Sequence, residues 1–199
     1  MKQSLRKTIR QKLADIDPAV LQAKSMAACK RLMDQPEFRQ TRVVMIYMPL
    51  PREVDISPVA LRSWQEDKTV CAPRLSWSQR HMLPVEIRSL ESGLTTTRHG
   101  LREPAAGEPM PVDMIDMVIV PALAYDHQGN RLGRGAGFYD RFLASPYFRG
   151  LAVGLAFREQ IVDQVPMQES DQPVHMLVTD EDVFRFGAPR SRGGADKDK

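Results

Sequence analysis

The sequence predicts an α/β fold in three layers: a mostly parallel central sheet, helices on both faces, and a ligand site at the carboxyl ends of the strands. Three observations carry this expectation. The runs RVVMIYM (42–48), IDMVIVPALAYD (115–126) and GLAVGLAF (150–157) are predominantly apolar with no polar alternation, as in strands covered on both sides. Segments with helical spacing alternate with them. Two unusual loops, PLPREVD (49–55) and DHQGNRLGRGAGFYD (126–140), leave the carboxyl ends of such strands, where parallel sheets bind ligands.

Leu5, Ile9, Leu13 and Ile16 form one apolar stripe, so the chain opens with a helix. Lys2 and Arg6 are four apart and share a neighbouring face, which by spacing alone reads as a solvated basic face. Asp17 and Pro18 match an N-cap followed by proline at the first helical position, starting a second helix that ends before Pro36. After the strand at 42–48 and its proline-stiffened loop, Ser57 and Pro58 start another helix by the same cap logic. KTVCAP (68–73) and HMLPVEI (81–87) are further strands, the latter interrupted by Pro84 and therefore expected at a sheet edge. Residues 98–111, rich in Gly and Pro, read as a surface excursion. IDMVIVPALAYD is the strongest strand signal, GLAVGLAF follows, and VHMLVTDE (174–181) is expected as the last strand. We expect a single domain over 1–186 and a disordered polar tail over 187–199, which has no apolar residue larger than alanine or proline.

At 199 residues the chain is long enough to bury a real core, and 42% hydrophobic with 27% charged residues is ordinary for a globular protein. No apolar run approaches the ~20 residues of a membrane span. The basic start has no apolar segment of the kind that directs secretion, and Cys29 and Cys71 fit no disulfide or metal spacing, so a cytoplasmic protein is expected. A net charge of +3 is too small to argue for nucleic acid, and it suits an anionic small molecule.

The stretch GNRLGRGAGFYDRFL (129–143) carries the chemistry. Gly133, Gly135 and Gly137 alternate, and alternating glycines permit positive φ and a concave nest of amides for anionic oxygens. A helix beginning near Gly137 adds free N–H groups, and Arg131 and Arg134 add charge. Asp140 suits a divalent metal bound to phosphate oxygens. Composition alone leaves open a merely structural turn before a helix. Tyr139 either stacks on a ring or packs beneath the loop. No GK[ST] closes the loop and Phe138 stands where a dinucleotide fingerprint has its third glycine, so neither a Walker loop nor that fingerprint is present. The four histidines show no zinc spacing and no GxSxG elbow occurs. Asp171, just before the last strand, reads locally as a turn or capping residue.

RLGRGAGFYDR (131–141) resembles the signature of the 5-formyltetrahydrofolate cyclo-ligase family, also called methenyltetrahydrofolate synthetases. KQSLR, YMPLPREVD, GLREP, DMVIVPALAYDHQGNRLG, VGLAF and ESDQPVHMLVTD occur in the family's order, so the likeness covers most of residues 2–180. It implies a reaction dependent on ATP and Mg2+ that converts 5-formyltetrahydrofolate to 5,10-methenyltetrahydrofolate, through phosphorylation of the formyl oxygen and ring closure by N10. It also implies roles. Lys2, Arg6 and the loop Arg131, Leu132, Gly133, Arg134, Gly135, Ala136, Gly137, Phe138 and Tyr139 bind the nucleotide. Arg131 and Asp140 are catalytic, Asp140 and Asp171 are associated with the metal, and Met48, Glu53 and Tyr139 line the folate pocket. A carboxylate such as Glu53 suits the N–H groups of a pterin.

The sequence departs from the family at Ala136, usually Gly or Lys, at Arg134, a variable position, at His175, an acid in some members, and at Ser170. The alternative reading is a folate- or nucleotide-binding regulator that retains the pocket with weak turnover. The expected partner is the folate substrate, with no nucleic acid or membrane, and the chain is expected as a monomer or small homo-oligomer. Polyglutamylated substrates are left open, with Arg52, Arg74 and Arg80 as equivalent candidates for a glutamate tail.

Overall fold

The computed structural model describes residues 1–97 and 100–187. The chain begins with α1 (Lys2–Ala14) and α2 (Pro18–Met33), then a short α3 (Pro36–Gln40). The apolar stripe of α1 is buried through Ile9 and Leu13. Asp17 caps α2 as expected, its carboxylate accepting the Ala19 N–H at 2.8 Å, with Pro18 in the first turn. Residues 36–40 were not expected to be helical. Pro36 starts that turn and Phe38 plugs it into the core.

Seven strands form one sheet. β1 (Val43–Met45) leads to α4 (Ser57–Gln65), β2 (Thr69–Ser76) and β3 (His81–Glu86). A separate hairpin of β4 (Leu94–Thr96) and β5 (Arg102–Pro104) follows, so the expected surface excursion carries regular structure. The chain then runs through β6 (Met117–Val120), a second small hairpin of β7 (Ala124–Tyr125) and β8 (Arg131–Leu132), and α5 (Phe138–Ala144). It ends with β9 (Leu151–Leu155), β10 (Met176–Val178) and β11 (Val183–Arg185). The sheet order is β11-β10-β9-β6-β1-β2-β3, and the five inner strands are parallel. β3 and β11 are antiparallel edges, and β3 carries Pro84 as anticipated from its missing N–H. β11 was not expected. The expected tail falls almost wholly on residues 188–199, outside the described residues.

Two local expectations are corrected. IDMVIVPALAYD is not one strand. It breaks at Pro121, and Ala124 and Tyr125 leave the sheet to pair with Leu132 and Arg131. Ser57 does not cap α4. It is the first helical residue, and Asp55 two residues earlier accepts its N–H at 3.0 Å and its hydroxyl at 2.6 Å through Oδ1.

Alternation along the strands divides the core. Val44, Ile46, Val70 and Ile119 pack with α1, α2 and α4 on one face. Val43, Met45, Cys71 and Val118 pack with Phe138, Phe142 and Leu143 of α5 on the other. The layers are therefore unequal, with most helices on one side. Numbered in chain order, the parallel strands run 2-1-3-4-5, the doubly wound arrangement with its reversal between the first and third. At that point β1 sends the chain to α4 on one face, while its neighbour β6 sends it to α5 on the opposite face. The two connections diverge and leave a crevice. Among the described residues, no helix is long and apolar enough to cross a membrane.

Candidate active site

A cavity of about 720 Å3 opens at this crevice, reached from β1 through Tyr47 and Met48 and from β6 through Pro121. Each residue to which the family resemblance assigns a role lines it: Lys2, Arg6, Met48, Glu53, every residue from Arg131 to Asp140, and Asp171. Seven cationic side chains face four carboxylates around its wall, so the cavity favours an anion.

The loop is built from a hairpin turn. Buried Asp126 accepts backbone N–H groups from Gln128, Asn130 and Val165, at 2.9, 3.0 and 3.0 Å. Gly129 adopts φ +82 within this turn, where a Cβ would lie 2.7 Å from the Val174 carbonyl oxygen. Past β8, Gly135 and Gly137 have φ of +115 and +67, as alternating glycines permit. Gly133 does not share the left-handed conformation, a correction to the alternation read from sequence. Its carbonyl instead accepts Arg6 Nε at 2.9 Å, binding α1 to the loop. The solvated basic face suggested by spacing is thus turned inward.

Arg131 is buried, with its side chain 3% exposed, and its Nη2 meets Asp140 Oδ1 at 2.6 Å. That oxygen also accepts the Gln172 N–H at 3.1 Å. Arg131 Nε is buried without a partner among the described residues, an orphan donor beside the cavity. Lys2 Nζ pairs with Asp171 Oδ2 at 2.5 Å, and the Gln168 N–H donates to the same oxygen at 2.7 Å. Burial alone would raise the Asp171 pKa, but the hydrogen bond from Lys2, then the Gln168 amide, hold it below the usual value. Both acids are thus gripped through one oxygen. Asp140 Oδ2 and Asp171 Oδ1 make no hydrogen bond among the described residues. Magnesium takes one or two carboxylates with phosphate oxygens and water, which these two free oxygens fit. Among the described residues no third His, Cys, Asp or Glu joins them.

Glu53 sits on the opposite wall. Its Oε2 accepts the Leu50 N–H at 2.8 Å, and its Oε1 pairs with Arg134 Nη2 at 2.7 Å. Tyr139 packs against both halves of the core and also lines the cavity. Burial, with Glu53 adding to it, pushes its phenol pKa far up, so the hydroxyl stays protonated.

The resemblance covers this geometry. The sequence profile of the 5-formyltetrahydrofolate cyclo-ligase family matches residues 1–180. The chain belongs to that family. It is 30% identical over 182 residues to the 5-formyltetrahydrofolate cyclo-ligase of Escherichia coli K12, covering 89% of this chain and 100% of that one. The mouse 5-formyltetrahydrofolate cyclo-ligase is 27% identical over 87% of this chain and 90% of its own length. The solution structure of the Aquifex aeolicus 5,10-methenyltetrahydrofolate synthetase superposes with a TM-score of 0.81 at 30% identity, covering 98% of both chains.

Within the cyclo-ligase family frame, several cavity residues had no sequence signal. Arg141 Nη2 donates to the Ala136 carbonyl at 2.6 Å and Arg141 Nε to the Arg80 carbonyl, setting a charge beside Ala136. Trp77, at the tip between β2 and β3, stands edge-on to Phe138 with ring centroids 5.0 Å apart. Of the basic residues considered for a glutamate tail, Arg80 lines the cavity. Arg74 is tied to the Gly107 carbonyl at 3.1 Å, and Arg52 reaches the end of α1. His175 does not line the cavity, and its Nδ1 accepts the Ala152 N–H at 2.9 Å.

Proposed function

We propose that the chain converts 5-formyltetrahydrofolate to 5,10-methenyltetrahydrofolate with ATP and Mg2+, releasing ADP and phosphate. One observation carries the reading: the loop at 131–140, Lys2 and Arg6, the two acids and the Met48/Glu53 wall all border a single cavity at the strand-order reversal.

ATP lies along the loop. Lys2, Arg6, Arg131 and Arg134 meet its phosphate oxygens, and the 133–137 backbone curves around them. Bound Mg2+, held by the free oxygens of Asp140 and Asp171, supplies charge neutralisation across the phosphates. The folate ring lies against Met48 and Tyr139, with its N–H groups donating to Glu53. The formyl oxygen then attacks the γ-phosphorus as the bond to ADP breaks, giving an imidate phosphate. N10 attacks the formyl carbon, the carbon–oxygen bond breaks, and phosphate leaves with the N10 proton. Arg131 faces the charge on the transferred group. No side-chain nucleophile is required, and catalysis rests on positioning and charge.

The test is direct. Purified protein with ATP, Mg2+ and 5-formyltetrahydrofolate should develop methenyl-folate absorbance with one ADP per product. Absence of product over a range of pH and metal concentration overturns the proposal.

A further inference from the structure

The proposed function assigns Arg134 to the phosphates and Glu53 to the folate, yet the two already hold each other. Arg134 donates to Glu53 Oε1 from both Nη2, at 2.7 Å, and Nε, at 2.9 Å. Leu50 N–H occupies Oε2 at 2.8 Å, so both oxygens of the carboxylate are engaged. The side chain of Glu53 is only 9% exposed, while that of Arg134 is 39% exposed and lines the cavity. A folate ring cannot use Glu53 fully while this pair stands.

The loop favours exchange. Arg134 lies between Gly133 and Gly135, whose backbone is held by Arg6 at the Gly133 carbonyl, so the Arg134 side chain can change partner while the loop stays in place. Arg6, Arg131 and Arg141 line the same cavity, and their like charge leaves Glu53 as the favourable partner for Arg134. A polyphosphate reverses the balance, since it offers several charged oxygens to the same guanidinium fork.

We propose that Arg134 is a coupling residue: it leaves Glu53 for the phosphates when nucleotide binds, and thereby frees Glu53 for the folate. This rests on the function proposed above and adds cooperative binding of nucleotide and folate to it. By linkage each ligand tightens the other by the same factor.

The experiment titrates 5-formyltetrahydrofolate into the protein with and without a non-hydrolysable ATP analogue, adenylyl imidodiphosphate, and Mg2+. Wild-type protein should bind folate at least about fivefold more tightly with the analogue present. Arg134→Ala should reduce this to less than about twofold, with folate binding in the absence of nucleotide unchanged or stronger. Arg134→Lys, which keeps the charge without the fork, should fall between the two. Equal thermal melting of the variants shows that the fold is intact. Full tightening retained in Arg134→Ala, or weaker folate binding by that variant without nucleotide, overturns the coupling role. Wild-type turnover with no tightening overturns the coupling role alone, whereas nucleotide binding with no folate binding and no turnover overturns both proposals.

Discussion

Arg131 Nη2 and Asp140 Oδ1 are 2.6 Å apart across nine residues of chain, and the Gln172 N–H meets the same oxygen. The pair therefore ties the glycine loop to the segment that carries Asp171. Asp140→Ala leaves a buried guanidinium unpaired and should lower stability by about 3 kcal/mol. Asp140→Asn keeps an acceptor and should cost less than half of that, yet both variants should lose about a hundredfold or more in kcat. Urea denaturation and initial rates measure the two effects separately. Wild-type turnover in Asp140→Asn would show that the pair is only structural.

Gly129, Gly133 and Gly135 should respond differently to alanine. At Gly129 a Cβ meets Phe186 and the Val174 carbonyl at 2.6 and 2.7 Å in a left-handed backbone, so the loss should reach about 2–4 kcal/mol. Gly135 has room but φ +115, predicting about 1–2 kcal/mol. At Gly133 the nearest side-chain atom is Arg131 Nη1 at 3.6 Å, and stability should change by less than about 0.5 kcal/mol. Equal losses at all three positions in denaturation midpoints would contradict this ranking.

Arg52 holds the Glu53 loop to the end of α1. Its Nη1 donates to the Ile16 carbonyl at 2.6 Å, and its own φ is +69. Since α1 also brings Lys2 and Arg6 to the loop, Arg52→Ala should raise KM for both substrates and cost about 1–2 kcal/mol. Arg52→Gly loses the same contact but relieves the backbone, so it should be about 1 kcal/mol more stable than Arg52→Ala. The reverse order by thermal melting would remove the strain argument.

The edge strand β11 is clamped by Arg185, whose Nε and Nη2 meet the Glu37 carboxylate at 2.7 and 3.2 Å. This hydrogen bond holds the Glu37 pKa below its ordinary 4.5, with burial opposing it. A depressed folded value stabilises above the unfolded one and is lost as pH falls through the folded one. The stability gap between wild type and Arg185→Gln should therefore be constant near neutral pH and shrink below 4.5. Urea midpoints across that range check it, and a gap independent of pH would refute the linkage.

Local chemistry made much of this protein readable. Period and capping placed α1 and α2, since Asp17, Pro18 and the stripe of Leu5, Ile9 and Leu13 act over a few residues. Uniform apolarity marked the inner strands and Pro84 the edge, because burial on two faces and a missing N–H leave traces in the chain itself. The glycine loop was legible as a stretch, and family likeness attached Lys2, Glu53 and Asp171 to it.

What only the tertiary structure decided was partnership. Lys2 meets Asp171 across 169 positions and Arg134 meets Glu53 across 81, distances over which sequence spacing carries no information. The reversal between β1 and β6 brings those elements to one crevice, and it follows from sheet order rather than from any local run. Trp77 and Arg141 entered the cavity wall for the same reason, through the fold of a hairpin tip against α5. Spacing names the groups, and three-dimensional packing selects which charges neutralise one another.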